Sequence, residues 1–179
     1  MEIKISTQRI LDILYVLSWI IFLGLCVEAG SFLFNAIYTT MFNPNAADYF
    51  GLTDLYAFDK GHFLVELLLM GIPAVMKAIM FYLIVKILHD KKLNLWQPFN
   101  KETGRLILNM SFLAFGIGLF SNWAVDNTEW LATQVKMPDV RHIKLDGGDV
   151  WLFMAVILFV IAQIFKRGIE IQSENELTI

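Results

Sequence analysis

A chain of 179 residues, of which 57% are hydrophobic and only 17% charged, has the composition of a polytopic membrane protein and not of a soluble domain. Its net charge of −3, without a long basic tract, argues against direct binding of nucleic acid. Its single cysteine, Cys26, excludes an intrachain disulfide and a cysteine-based metal cluster.

Four long apolar stretches indicate that the chain crosses a membrane four times. A bilayer core of roughly 30 Å requires about 20 helical residues, and backbone groups inside it must be hydrogen-bonded within the protein. We therefore predict an all-α membrane protein with a single four-helix domain over residues 1–179. The first span covers about residues 10–38, where Glu28 and Asn35 stand out as polar.

The segment of residues 41–61, the first outer loop, alternates aromatic side chains with carboxylates. This pattern is typical of a loop at the lipid–water interface. The alternative is a cation or ligand site formed together with His62. The residues concerned are Tyr49, Phe50, Tyr56, Phe58, Asp48, Asp54 and Asp59.

The second span, about residues 62–89, is the most informative stretch because it carries charges within an apolar helix. Helical spacing places one polar stripe on a single face. A charge at the bilayer centre costs at least ~2.5–3.5 kcal/mol, so this face should point towards other helices or a wet cavity. Gly71 and Pro73 form a predicted hinge, since proline removes a helical hydrogen bond. The stripe comprises His62, Glu66, Met70, Pro73 and Lys77.

The third span, about residues 105–123, has a face of small residues that predicts close helix packing. Asn109 is the clearest polar side chain expected to be buried within this span. The small-residue face comprises Ser111, Ala114, Gly118 and Asn122.

The second outer loop, residues 124–148, contains a Pro-Asp turn between two short segments rich in branched side chains. This arrangement predicts a small β-hairpin. The fourth span then covers about residues 150–167, and residues 168–179 form a polar cytoplasmic tail.

The basic residues predict the orientation, because positive charge collects on the cytoplasmic side of a membrane. Nine basic residues lie on the side of the two termini and four on the other side. We therefore expect both termini in the cytoplasm and the protein in a bacterial inner membrane.

With this orientation, the ionisable residues suggest an intramembrane polar site. Glu28 and Glu66 lie at similar depths near the outer leaflet, where they could face each other. Lys77 lies near mid-membrane and is too far along the helix to reach Glu66, so its partners should lie on other helices. The hypothetical site consists of Glu28, Glu66, Lys77 and Asn109.

The end of the chain carries the most distinctive pattern. Lys166-Arg167-Gly168 is followed by Glu170-Ile171-Gln172-Ser173-Glu174-Asn175-Glu176-Leu177-Thr178-Ile179. This ending resembles that of a family of four-span bacterial membrane proteins, domain of unknown function 2975. Ile171 stands where that family usually has Leu, and Glu176 where it usually has Asp. The resemblance implies four spans and no enzyme activity, and it suggests a helix-turn-helix regulator as partner, because the family's genes often neighbour such regulators.

The tail itself fits a docking role, since apolar side chains there would be exposed in the cytoplasm. The alternative is a tail that folds back on the cytoplasmic link or stays solvated. The predicted partner-binding residues are Ile169, Ile171, Gln172, Glu174 and Leu177.

Two functions follow as hypotheses. The first is a signal-responsive membrane protein that acts on a cytoplasmic DNA-binding regulator through its tail. The second is an ion or small-molecule transporter or channel that uses Glu28, Glu66 and Lys77, and four spans would then require a homo-oligomer. We find no nucleophile motif, phosphate loop or metal-ligand spacing, so no catalytic, cofactor or metal site is expected.

Overall fold

The computed structural model describes residues 7–90, 99–141, 143 and 145–176. These residues form helices α1 (Thr7–Met41), α2 (Thr53–Phe58), α3 (Lys60–His89), α4 (Lys101–Ala132) and α5 (Gly148–Glu176), with a 3₁₀ helix at Pro44–Phe50. By length and composition, α1, α3, α4 and α5 can each cross a membrane. The prediction of an all-helical chain with four potential spans is therefore confirmed.

The helix ends follow from capping side chains. Asp59 precedes α3 and accepts a hydrogen bond from the His62 amide at 2.8 Å. Asn100 precedes α4 and accepts one from the Thr103 amide at 2.7 Å. Each cap satisfies an amide that has no partner within the first helical turn.

Helix α4 continues nine residues past the predicted end of the third span, to Ala132. The sequence becomes polar after Trp123, which is why hydropathy places these residues in a loop. They remain helical because Ala124, Thr128 and Leu131, spaced four and three residues apart, are all buried.

The four long helices pack as a series. The α3 backbone contacts α1 on one side and α4 on the other, and α4 also contacts α5. Within the described ranges, the backbones of α1 and α5 each contact a single long helix. As a result, 44% of the residues in an apolar 18-residue stretch of α3 are buried in the protein, against 6% in the corresponding stretch of α1. Most of the α1 surface is therefore exposed.

We call the end of the helices that carries both termini the terminal end, and the opposite end the loop end. The larger apolar core lies at the loop end, where both outer loops join the helices. The first loop contributes Ala47, Leu52 and Leu55, and the second contributes Ile143 and Leu145. The loops also touch directly, since a Cβ atom at Gly51 would lie 3.6 Å from the Pro138 Cβ.

The described residues of the second outer loop form no strand, so the predicted hairpin is not found there; His142 and Lys144 lie outside the described residues. Backbone amide groups are instead hydrogen-bonded within local turns. The Asp139 carboxylate accepts from the Arg141 amide at 2.8 Å, and the Leu145 amide donates to the Val140 carbonyl at 3.0 Å. Burial of Ile143 and Leu145 holds this folded loop against the helices.

The small-residue face of α4 is where α5 packs. The Ser111 hydroxyl donates to the Ala155 carbonyl of α5 at 3.1 Å. Ala114 is fully buried, and Gly118 lies so close to Leu152 that an added Cβ would meet its Cγ at 2.7 Å. The predicted close approach of helices along this face is therefore present.

We expect Gly118→Ala and Gly116→Ala to differ in stability. At Gly118 a Cβ would also lie 2.9 Å from the backbone oxygen of Gly148, which cannot move freely. At Gly116 it would meet the flexible end of Met76. Gly118→Ala should lower the free energy of unfolding by about 1–3 kcal/mol, whereas Gly116→Ala should leave it unchanged or raise it by up to about 1 kcal/mol. Unfolding in mixed micelles measures both, and equal effects would contradict the packing described here.

Candidate functional site

The buried carboxyl of Glu66 is the most constrained polar group among the described residues. Glu66 is fully buried on α3, near the loop end. One carboxyl oxygen accepts from the Asn127 side-chain amide at 2.6 Å, and the other contacts the Thr128 hydroxyl. Both partners lie in the part of α4 beyond the predicted third span. Glu66 therefore joins α3 to α4.

The Thr128 hydroxyl has two acceptors within hydrogen-bonding distance. The Thr128 hydroxyl also lies 2.8 Å from the Ala124 carbonyl, which can only accept a hydrogen bond. A hydroxyl has one proton, so it either donates to one of these acceptors or shares the proton between both in a three-centre bond. In each case Thr128 links the Glu66 carboxyl of α3 to the backbone of α4.

His62 lies on the loop-end side of Glu66. It lies one turn before Glu66 on α3 and is partly buried between the rings of Phe58 and Trp130, at centroid distances of 6.5 and 5.4 Å. The aromatic residues of the first outer loop thus pack on the helices. No group of three His, Cys, Asp or Glu side chains among the described residues is arranged to hold a metal ion.

The expected pairing of Glu28 with Glu66 does not form. Glu28 is partly buried and lines a separate cavity of about 530 Å³ between α1 and the outer loops, beside Ser31 and Tyr49. Glu66 has its hydrogen-bond partners on α4 and not on α1. Similar depth along two helices did not bring the carboxylates together, because Glu66 points towards α4 whereas Glu28 faces the cavity beside the outer loops.

Lys77 reaches towards α5. Its Nζ lies 5.7 Å from the centroid of the Trp151 ring, within the range of a cation–π contact. Lys77 therefore helps to connect α3 with α5, whose backbones are not in contact within the described residues.

Asn109 lies elsewhere. Its side chain is exposed at the terminal end, in a cavity shared with Lys101 and Arg105, and not buried in the span as expected. Glu28, Glu66, Lys77 and Asn109 thus occupy separate places and do not form one polar site.

The predicted hinge lies at the contact between α1 and α3. Helix α3 runs through Gly71 and Pro73 without interruption, and both residues are buried. A Cβ at Gly71 would lie 3.6 Å from the Phe32 Cβ of α1. Beside this contact is an apolar cavity of about 210 Å³ lined by Leu67, Ile72 and other residues of α1 and α3.

The predicted tail continues α5. Residues 168–176 extend the helix, whereas Leu177 lies outside the described residues. Ile169 packs near Gly104 of α4, where an added Cβ would approach its Cδ1 to 3.4 Å. Gln172 is partly buried, Ile171 is 46% exposed, and Glu174 is exposed.

Sequence reasoning missed Asn127, Thr128 and Trp151. The available signal was the spacing of Ala124, Thr128 and Leu131, which is that of a helix face. Reading residues 124–132 as helical would have placed polar side chains of the third span near the depth of Glu66.

We expect Glu66→Gln and Glu66→Leu to separate hydrogen bonding from charge. Glutamine can donate to Thr128 and accept from Asn127, so Glu66→Gln should change the free energy of unfolding by less than about 1 kcal/mol. Leucine leaves both partners unsatisfied, so Glu66→Leu should lower it by about 2–4 kcal/mol. Unfolding in mixed micelles compares the two. A glutamine variant as unstable as the leucine variant would show that the site needs an ionised carboxylate.

Comparisons with protein-family models, curated proteins and solved structures find no match to this chain. Function must therefore be inferred from the geometry of the chain itself. The features that bear on it are the Glu66 clamp between α3 and α4, the Lys77 contact with α5, and the continuation of α5 past the predicted end of the fourth span to Glu176.

Proposed function

We propose that this chain is a signal-responsive protein of the bacterial inner membrane, with both termini in the cytoplasm, that acts on a helix-turn-helix regulator through the end of α5. The observation that carries this proposal is the continuity of α5, whose 29 residues run from the loop end to Glu176. At about 1.5 Å per residue they span roughly 43 Å, more than the bilayer core. A displacement of α5 at the outer loops would thus move its other end.

The end of α5 has two different faces, which suits a regulated docking surface. We call residues 168–176 the terminal arm. Ile169 and Gln172 lie on the partly buried face towards α4, whereas Ile171 and Glu174 are exposed. An exposed apolar side chain beside a carboxylate fits recognition of an amphipathic helix with a basic side chain. The resemblance of the tail to domain of unknown function 2975 supports a DNA-binding regulator as that partner.

The packing of the helices offers a way to shift α5. Glu66 fixes α3 to α4 at the loop end. Lys77, about 16 Å further along α3, makes a cation–π contact with Trp151 of α5. The apolar cavity beside Gly71 leaves room for α3 to repack against α1. A signal at the outer loops would change this packing and thereby the position of the terminal arm. Helix α3 would then switch between two packing arrangements.

The transport hypothesis gains no comparable support. Glu28 lines a cavity beside the outer loops, both oxygens of Glu66 are engaged by α4, and Lys77 lies beside Trp151 of α5. A shared pathway would have to bring these residues together.

Photo-crosslinking in living cells tests the proposed partner. A benzoylphenylalanine placed at Ile171 should capture a cytoplasmic DNA-binding protein, because this side chain is exposed. The same probe at Ile169 is the matched control and should capture α4 of its own chain, since Ile169 faces Gly104. Mass spectrometry identifies both products. Capture of only lipid or the protein itself from Ile171 would overturn the proposed function.

Lys77→Met tests the coupling between α3 and α5. The substitution removes a cation–π contact of about 0.5–1 kcal/mol, so it should alter the yield of partner capture from Ile171 roughly two- to fivefold without unfolding the protein. Lys60→Met is the matched control, because Lys60 lies 5.4 Å from the Tyr56 ring at the loop end and does not bear on α5. Equal capture from both variants and the unaltered protein would exclude Lys77 from the signalling route.

A further inference from the structure

A polar cavity opens between α3 and α4 at the terminal end. It has a volume of about 460 Å³. Three cationic side chains line it: Lys86 from the end of α3, and Lys101 and Arg105 from the first two turns of α4. All three are exposed.

The charges around this cavity favour an anion. Its two carboxylates, Asp90 and Glu102, each already have an interaction partner. Lys101 and Arg105 form no ion pair in the part of the chain that the structure describes, so their charge is available to a ligand. The cavity walls carry three cations and two carboxylates, which gives a net charge of +1.

A second cavity, of about 470 Å³, lies on the other side of α4, against α5. Lys101 and Arg105 line this cavity as well, together with Lys166 and Gln163 of α5. These two cations thus stand between two clefts, and an anion bound to them can extend into either.

The character of the first cavity changes with depth along α3 and α4. Lys101 lies in the first turn of α4, Arg105 lies one turn deeper, and Asn109 lies a further turn, about 6 Å, along the helix. Leu106 lies just deeper than Arg105 on α4, and Leu83 lies about 5 Å deeper than Lys86 on α3. Cations towards the helix ends, with apolar and amide side chains deeper, match a phospholipid, whose phosphate lies outside its glycerol ester and acyl chains.

We propose that this cavity binds the phosphodiester headgroup of an anionic phospholipid, with Lys101 and Arg105 on the phosphate and Asn109 donating to the glycerol-ester region. Arginine holds phosphate through two parallel hydrogen bonds, and basic pockets between membrane helices select anionic headgroups. The apolar side chains in the cavity wall favour a lipid over a soluble anion, because a soluble phosphate would leave them uncovered. This proposal does not depend on the signalling function.

Native mass spectrometry of the full-length protein in detergent, titrated with phosphatidylglycerol or phosphatidylcholine, tests the proposal. We expect the unaltered protein to retain phosphatidylglycerol in preference to phosphatidylcholine. Lys101→Gln/Arg105→Gln should weaken phosphatidylglycerol binding roughly 10- to 30-fold. Lys136→Gln/Arg141→Gln removes the same charge from exposed residues at the loop end and should leave binding unchanged.

Further variants distinguish geometry from charge. Asn109→Leu keeps every cation, so a weakened binding in this variant supports the proposed depth of the ligand. Equal retention of both lipids, or equal loss in the loop-end control, would overturn the site. A final experiment adds glycerol phosphate at millimolar concentration. Displacement of the lipid by this soluble anion would overturn the lipid assignment in favour of a general phosphate site.

Discussion

The pairing of Glu66 with Asn127 and Thr128 is the interaction on which the arrangement of the helices depends. A fully buried carboxyl group in a membrane protein has no water to replace a lost partner, so α3 and α4 must meet where these side chains meet. That requirement sets the register between the two central helices. It also explains why α4 stays helical to Ala132, beyond the point where its sequence ceases to be apolar.

The other helices take their places from this central pair. Helix α1 packs on α3 through contacts such as Phe32 against Gly71, and α5 packs on the small-residue face of α4. Lys77 adds a contact from α3 to α5 that bypasses α4. The two outer loops close the loop end with apolar side chains. The terminal end is different, since its clefts are lined by cations and lie next to the arm that α5 extends beyond them.

Much of this fold was predictable from the sequence, and the failures have physical causes. Apolar length fixed the four spans, and the spacing of Ser111, Ala114 and Gly118 located the α4–α5 contact. Helical spacing also placed Glu66 on an inner face. The partners of Glu66 were missed because residues 124–132 owe their helical state to tertiary burial, which hydropathy does not measure. The second outer loop was misjudged for the same reason: burial of Ile143 and Leu145 outweighs local strand preference.

The packing of each long helix against its neighbours in the chain has a consequence for biogenesis. When α3 enters the membrane, α1 is already there to receive it, and the same holds for α4 and α5 in turn. Such an order of contacts lets the protein assemble while it is being synthesised, with little loop-closure entropy at any step. The loop-end core is the exception, because Ile143 and Leu145 complete a cluster begun by Ala47 and Leu52. Closure of that cluster is therefore the step that must wait for the ribosome to pass the second outer loop.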